Sequence, residues 1–139
     1  MICHQVDFDA AFLNAPLQED IYVKNIPGIS QSPGYVFKLK KTLYGLKQAP
    51  HEWWKLLKSK LLQLNWIQCV TDDCLFYRDL DSGHREYILV YVDDLVIVSP
   101  FDKTMSLIKA ELASTFSMKD LVEIRHILGM RVSRSNSDS

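Results

Sequence analysis

The segment Tyr87-Ile-Leu-Val-Tyr-Val-Asp-Asp-Leu-Val-Ile-Val-Ser99 sets two adjacent carboxylates, Asp93 and Asp94, inside an otherwise apolar run. Two unit charges roughly 4 Å apart repel by about 4 kcal/mol at an effective dielectric of about 20, and desolvation by the flanking aliphatics adds to that. Val, Ile, Leu and Tyr on both sides predict strand, in which Asp is depleted. The least costly conformation is a hairpin, Glu86 to Tyr91 leading in and Leu95 to Ser99 leading out, with the acids at its tip. That tip has the wrong chemistry for its turn. Two-residue hairpins favour Asn-Gly, Asp-Gly or another pair that accepts positive φ, and this one has no Gly. A local rule broken inside a strongly patterned segment marks a functional site. A bound cation would relieve the repulsion.

Composition narrows the class. The 139 residues, 47% hydrophobic and 24% charged, fit one soluble globular domain large enough to bury its own core. That domain is expected over residues 1–132, with 133–139 as a polar, disordered tail. The net charge of -1 hides an asymmetry, for Lys38 to Lys60 holds seven lysines against one acid, Glu52. This stretch suits either phosphate or a solvated helix face whose charged stems cover apolar surface. Cys3, Cys69 and Cys74, with no signal-peptide pattern, point to a reducing, intracellular compartment. Their spacing predicts free thiols rather than disulfides or a zinc site. No segment is long and apolar enough to span a membrane.

Along the chain, Ile2 to Phe8 reads as a strand and Ala10 to Ala15 as a turn of helix stopped by Pro16. Ile21 to Lys24 and Tyr35 to Lys40 read as further strands, separated by a loop rich in Pro and Gly. Thr42 to Gln48 is a loop, after which Pro50 opens a helix reaching Leu64, with Trp53 or Trp54, Leu57, Leu61 and Leu64 on one face. Asp73 to Arg78 and Glu86 to Tyr91 are strands. Past the carboxylate hairpin, Ser99-Pro100 or Asp102 caps a helix carrying Met105, Ile108, Leu112 and Phe116 at helical spacing. Ile124 to Val132 reads as a last strand or hairpin, with Gly129 as a bulge. The alternation is not that of a doubly wound sheet. It predicts an α+β fold, an antiparallel sheet with helices packed on one face.

The chemistry open to the acids is metal chemistry. Mg²⁺ takes oxygen ligands, commonly one or two carboxylates completed by water and substrate phosphates. Two such ions about 3.5–4 Å apart stabilise the attacking and leaving oxygens of an in-line phosphoryl displacement. A third carboxylate is therefore expected. Asp7, a lone acid ending an apolar strand, is the best candidate, with Asp9, Asp72 and Asp73 as competitors.

Four stretches then stand together: Val6-Asp-Phe-Asp-Ala-Ala-Phe-Leu-Asn14, Leu43-Tyr-Gly-Leu-Lys-Gln-Ala-Pro50 followed by Trp53, Tyr91-Val-Asp-Asp94, and Phe116-Ser-Met-Lys-Asp-Leu121. In this order they resemble the motifs of copia-type LTR-retrotransposon reverse transcriptases, over nearly the whole chain. The resemblance implies the palm and part of the fingers of a right-hand polymerase that adds deoxynucleotides to a primer 3′-hydroxyl. It makes Asp7, Asp93 and Asp94 ligands to two Mg²⁺ ions, with Mn²⁺ as the alternative. Phe8 would help hold a metal or triphosphate through its backbone. Phe12 falls at the aromatic gate that excludes a ribose 2′-hydroxyl, Gln48 and Tyr91 beside the incoming nucleotide, and Lys119 at the lysine that protonates pyrophosphate. From the residues alone, Phe12 reads as core, Gln48 as a helix cap or loop residue and Lys119 as a solvated charge.

Two positions depart from the family's pattern. His51 replaces a common arginine, and Val122 stands where glycine usually follows Lys-Asp-Leu, which touches local loop geometry rather than the metal site. The partners implied are a primer-template of RNA and DNA, deoxynucleoside triphosphates, and the remainder of a Pol polyprotein with its fingers, thumb, RNase H and integrase. The setting implied is a cytoplasmic virus-like particle or the nucleus. Because upstream fingers strands and a downstream thumb lie outside these residues, the isolated chain is expected to be inactive. The rival expectation is a truncated or domesticated fragment that binds nucleic acid or protein without catalysis.

Overall fold

The computed structural model describes residues 1–133, so the expected tail lies, beyond Ser133, outside the described residues. In chain order the elements are β1 (Ile2–Phe8), α1 (Ala11–Asn14), β2 (Tyr22–Val23), β3 (Phe37–Lys38), α2 (Ala49–Gln63), β4 (Ile67–Gln68), β5 (Leu75–Asp79), β6 (Arg85–Tyr91), β7 (Asp94–Ser99), α3 (Asp102–Ala113), β8 (Met118–Glu123), β9 (His126–Ile127) and β10 (Met130–Arg131). They form two compact units, Met1–Asp9 with the chain from Lys60 onward, and Ala10–Ser59. The fold is thus mixed α and β on an antiparallel sheet, as the patterning predicts. No helix among the described residues is long and apolar enough to cross a membrane.

The first unit rests on a six-stranded sheet in the order β4-β5-β6-β7-β1-β8. Every pairing in it is antiparallel. Period-two alternation gives the sheet two unlike faces. Val6, Phe8, Phe76, Ile88, Val90, Leu95 and Ile97 are buried on one of them, together with Met105, Ile108 and Leu112 of α3. The Phe8 ring meets that of Phe116 edge-on, centroids 5.2 Å apart. Lys109 of α3 fixes the helix to this face, its Nζ 2.6 Å from His4 Nδ1 and 2.7 Å from an Asp120 carboxylate oxygen. The opposite face carries Gln5, Asp7, Tyr91 and Asp94, none of them buried.

Four local expectations need correction, and one strand has no counterpart among them. Phe116, expected on the helix that carries Met105, Ile108 and Leu112, lies three residues past its end at Ala113. Strand β8 runs through Met118–Glu123, where alternation is hidden because the strand is exposed along almost its whole length. Helix α3 is preceded by Phe101 in extended conformation with no side-chain cap, so neither Ser99 nor Asp102 caps it. Thr104 Oγ1 bonds the Phe101 carbonyl instead. Gly129 is not a bulge. With Leu128 it forms the two-residue turn between β9 and β10, both at positive φ (51° and 75°), as such a turn requires. Helix α2 begins one residue before Pro50, with Trp53, Leu57 and Leu61 as its buried stripe.

The bulge falls in β8. His4 pairs with Glu123 and Val6 with Asp120, so Leu121 and Val122 together oppose Gln5. Two residues against one is the signature of a β-bulge. Val122 takes φ 60°, a conformation that favours glycine, and its N–H donates to Asp120 Oδ1 at 2.9 Å.

A buried polar cluster ties β5, β6, β7 and α3 together. Glu86 is fully buried; it accepts from Arg78 Nη2 at 3.2 Å and from Ser99 Oγ at 3.0 Å. Arg78 also reaches Glu111 of α3 at 3.1 Å and stacks on Trp66, 4.6 Å from the ring. Removing one partner of such a pair strands the other charge.

The second unit holds the β2–β3 ribbon and the one-turn helix α1, which is too short to hold itself and has no side-chain cap. It is laced from outside. The buried Thr42 hydroxyl donates to the Phe12 carbonyl, the Thr42 N–H donates to the Ala15 carbonyl at 3.1 Å, and Pro16 bridges to Lys41.

Arg78→Met is expected to lower the unfolding free energy by about 3 kcal/mol in urea titrations. Arg78→Met/Glu86→Leu should recover most of that loss, and equal losses in both variants would show that the buried charge is not what the arginine offsets.

Candidate active site

The hairpin tip is a two-residue loop, Val92-Asp93, closed by the pair Tyr91 and Asp94. Val92 takes φ 56° while Asp93 does not enter the positive region. That pattern is met at least cost by Gly at the first loop position. A β-branched residue there is strained. Asp93 sits in the turn, and its carbonyl accepts the Phe8 N–H at 2.9 Å. The tip is thereby sewn to the end of β1.

Register then gathers the acids. Asp7 on β1 is the direct partner of Asp94 on β7 and, on its other side, of Lys119 on β8. Directly opposed residues have Cβ atoms about 4.5–5.5 Å apart on one face, so Asp94, Asp7 and Lys119 form a row across three strands. Asp94 Oδ1 accepts from Gln5 Nε2 at 2.9 Å. Among the described residues, no side chain donates to the Asp7 carboxylate. Burial, and then the neighbouring charges of Asp93 and Asp94, raise the Asp7 pKa above its ordinary 3.8, while Lys119 pulls the other way.

The competing acids are engaged elsewhere. Asp9 accepts from Ser117 Oγ at 2.8 Å and pairs with Lys119 Nζ at 3.5 Å. Asp72 Oδ1 accepts the Cys74 N–H at 2.9 Å, and Asp73 Oδ1 the Gln68 amide at 3.2 Å. Of the four candidates for a third carboxylate, Asp7 is the one in register with the pair.

Among the described residues, no three His, Cys, Asp or Glu side chains converge into a ready-made metal cluster. The donor set nevertheless suits a hard cation, with two carboxylates opposed on an accessible face and mutual repulsion for a cation to cancel. An ion that completes its shell with water and phosphate oxygens needs no more from the protein.

The remaining predicted residues are placed as follows. Phe8 commits its ring to the core and its N–H to Asp93. Tyr91 is half exposed, beside Asp94. In the second unit, the Phe12 ring lies 4.9 Å from that of Tyr44. Gln48 donates to Glu19 at 2.8 Å, and its carbonyl accepts the Glu52 N–H at the start of α2. Gln48 thus stands where the loop enters α2, and its amide nitrogen is engaged with Glu19. A cleft of about 230 Å³ borders Gln48, His51 and Glu52.

Gln5 and Ser117 go beyond the sequence-derived site, and Asp9, read there as a competing carboxylate, is held by Ser117 and Lys119. Gln5 was legible, since period two puts it on the face of Asp7. The Asp9–Ser117 contact was not, because nothing local signals that β8 pairs with β1.

Asp94→Asn is expected to lower the Asp7 pKa in a carboxyl ¹³C NMR titration with chelator present, and an unchanged value would show the two acids uncoupled. A raised native pKa means that above 3.8 the native state holds more of this proton than the unfolded chain. Stability therefore falls as pH rises through that window. Asp7→Asn should accordingly be at least as stable as the native chain at pH 7 without metal, against the usual loss on substitution; a clearly lower Tm would contradict this.

Residues 1–138 match the family described as reverse transcriptase (RNA-dependent DNA polymerase). The chain is 37% identical over 95% of its length to a putative transposon Ty5-1 protein of Saccharomyces cerevisiae, covering 43% of that protein. It is 33% identical over 96% of its length to the retrovirus-related Pol polyprotein from transposon TNT 1-94 of Nicotiana tabacum, and spans 10% of that polyprotein. For the Pol polyprotein from transposon RE1 of Arabidopsis thaliana the values are 38%, 94% and 9%. The chain belongs to the reverse transcriptase family, in the form carried by the Pol polyproteins of copia-type retrotransposons.

Proposed function

We propose that the chain is the palm region, with part of the fingers, of an RNA-directed DNA polymerase, and that Asp7, Asp93 and Asp94 hold its divalent cations. The observation that carries this is the register of β1, which sets Asp7 opposite Asp94 while the Phe8 N–H anchors Asp93. Two Mg²⁺ ions, or Mn²⁺, would supply Lewis-acid stabilisation of the attacking and leaving oxygens in nucleotidyl transfer.

The chain's own groups do the rest. Asp7 and Asp94 present carboxylate oxygens from facing strands, Asp93 from the turn, and Phe8 its backbone. Lys119, an exposed ammonium in the same row, holds a proton at Nζ that the departing pyrophosphate can take. By the family's motifs Tyr91 is assigned to the incoming nucleotide; in the second unit the same motifs assign Gln48 to nucleotide binding and Phe12 to selection against a ribose 2′-hydroxyl by bulk. The partners are an RNA or DNA primer-template and deoxynucleoside triphosphates, within a Pol polyprotein in a cytoplasmic particle or the nucleus.

The test is a chimaera in which this chain replaces the matching segment of the tobacco Pol polyprotein. Primer extension on an RNA template with Mg²⁺ is expected, falling at least about 100-fold on Asp93→Asn, as when a group stabilising the transition state is removed. Extension that survives Asp93→Asn, or a chimaera that binds template in a salt-dependent way yet never extends while the tobacco parent does, would overturn the reading. In the same chimaera, Phe12→Val should raise ribonucleotide use relative to deoxynucleotide by about 10-fold or more, and an unchanged ratio would remove Phe12 from the selecting role.

A further inference from the structure

We infer that Asp9 is a positioning residue that holds the Lys119 ammonium away from Asp7, so that Asp7 stays available to a divalent cation; the inference rests on the reading of Asp7 and Asp94 as cation ligands. Register alone predicts another arrangement. Lys119 is the direct cross-strand partner of Asp7, and opposite charges so placed on an antiparallel pair attract one another. A Lys119–Asp7 pair would neutralise one of the two facing carboxylates and compete with any metal.

The lysine goes elsewhere. Its Nζ lies 3.5 Å from Asp9 Oδ1. The other Asp9 oxygen accepts from Ser117 Oγ at 2.8 Å, and the Asp9 N–H donates to the Ser117 carbonyl at 3.0 Å. Ser117 immediately precedes β8, so the strand that carries Lys119 also orients the carboxylate that holds it. The bulge at Leu121-Val122 brings Lys119 into this phase, since it offsets the pairing beyond Gln5.

The tether is weak by design of its surroundings. Side-chain exposures of 67% for Lys119 and 37% for Asp9 put the pair in the screened regime, where ion pairs exchange readily. A phosphate arriving at the carboxylate row can therefore draw the ammonium from Asp9. A buried pair could not release it so cheaply. Asp9 thus serves two stages, holding Lys119 away from the empty carboxylates and yielding it to an anionic substrate.

The experiment measures Mn²⁺ binding to the full chain from the EPR signal of the free aquo ion, with circular dichroism checking that each variant is folded. The wild type is expected to bind and Asp7→Asn to lose binding. Asp9→Asn should weaken affinity by about three- to five-fold, the most that an exposed ion pair supports, while Asp9→Glu stays near wild type. Loss of the Asp9 charge alone would also weaken binding, so the double-mutant cycle with Lys119→Met decides. Lys119→Met should change affinity by less than about two-fold when Asp9 is present and restore about three-fold or more when it is Asn. Ser117→Ala should shift affinity in the same direction as Asp9→Asn, by less. Equal effects of Lys119→Met in both backgrounds would overturn the inference while leaving the cation site standing. A wild type that binds no Mn²⁺, or an Asp7→Asn variant that binds as well as wild type, would remove the cation reading and this inference with it.

Discussion

The structure depends on where β1 inserts. The chain's first strand pairs with β7 on one side and β8 on the other, which brings residues far apart in sequence into one row of side chains. The row of Asp94, Asp7 and Lys119 follows from that register. A slip of one residue would turn Asp7 into the core and Val6 or Phe8 out to solvent, because side chains alternate faces along a strand. Burial of Val6, Phe8, Leu95 and Ile97 forbids the slip, so the hydrophobic face fixes the geometry of the polar one.

The site itself opposes folding. Val92 at positive φ is strained, and burial together with the charges of Asp93 and Asp94 disfavours the ionised form of Asp7, a cost that the core beneath them offsets. Strain and repulsion at one end of a rigid sheet are what a cation-binding device needs, since binding then relieves a penalty already present in the folded chain. Lys119 and Asp9 sharpen the point: the cation opposite Asp7 in register is tied to another acid and offsets the repulsion at Asp7 only in part.

Much of this was legible in the sequence because it was local. The carboxylate hairpin announced itself by charges in an apolar run and by a turn without glycine, and Val92 adopts the conformation that glycine would have taken. Helices α2 and α3 followed from apolar spacing, although Leu64 and Phe116, the last residues of the two expected stripes, fall past the helix ends, and β1 was foreseen with its bounds. What escaped was non-local or lacked a hydrophobic signal. Exposed on nearly every residue, β8 shows no alternation, and its pairing with β1 rests on a bulge that no local pattern predicts. Phe101 before α3 has no capping side chain to recognise, while Ser99, an apparent cap, is used instead to satisfy the buried Glu86. Which side chains would stand beside the hairpin acids was not readable, since register is a property of two strands at once.

The central claim is that this register makes Asp7 and the hairpin acids one cation site. Anomalous scattering from crystals of the chain soaked with Mn²⁺ and a deoxynucleoside triphosphate tests it most directly. The account predicts density for manganese between the carboxylates of Asp7 and Asp94, and its loss in crystals of Asp7→Asn. Manganese bound instead at Asp72 and Asp73, or persisting at the hairpin without Asp7, would contradict it.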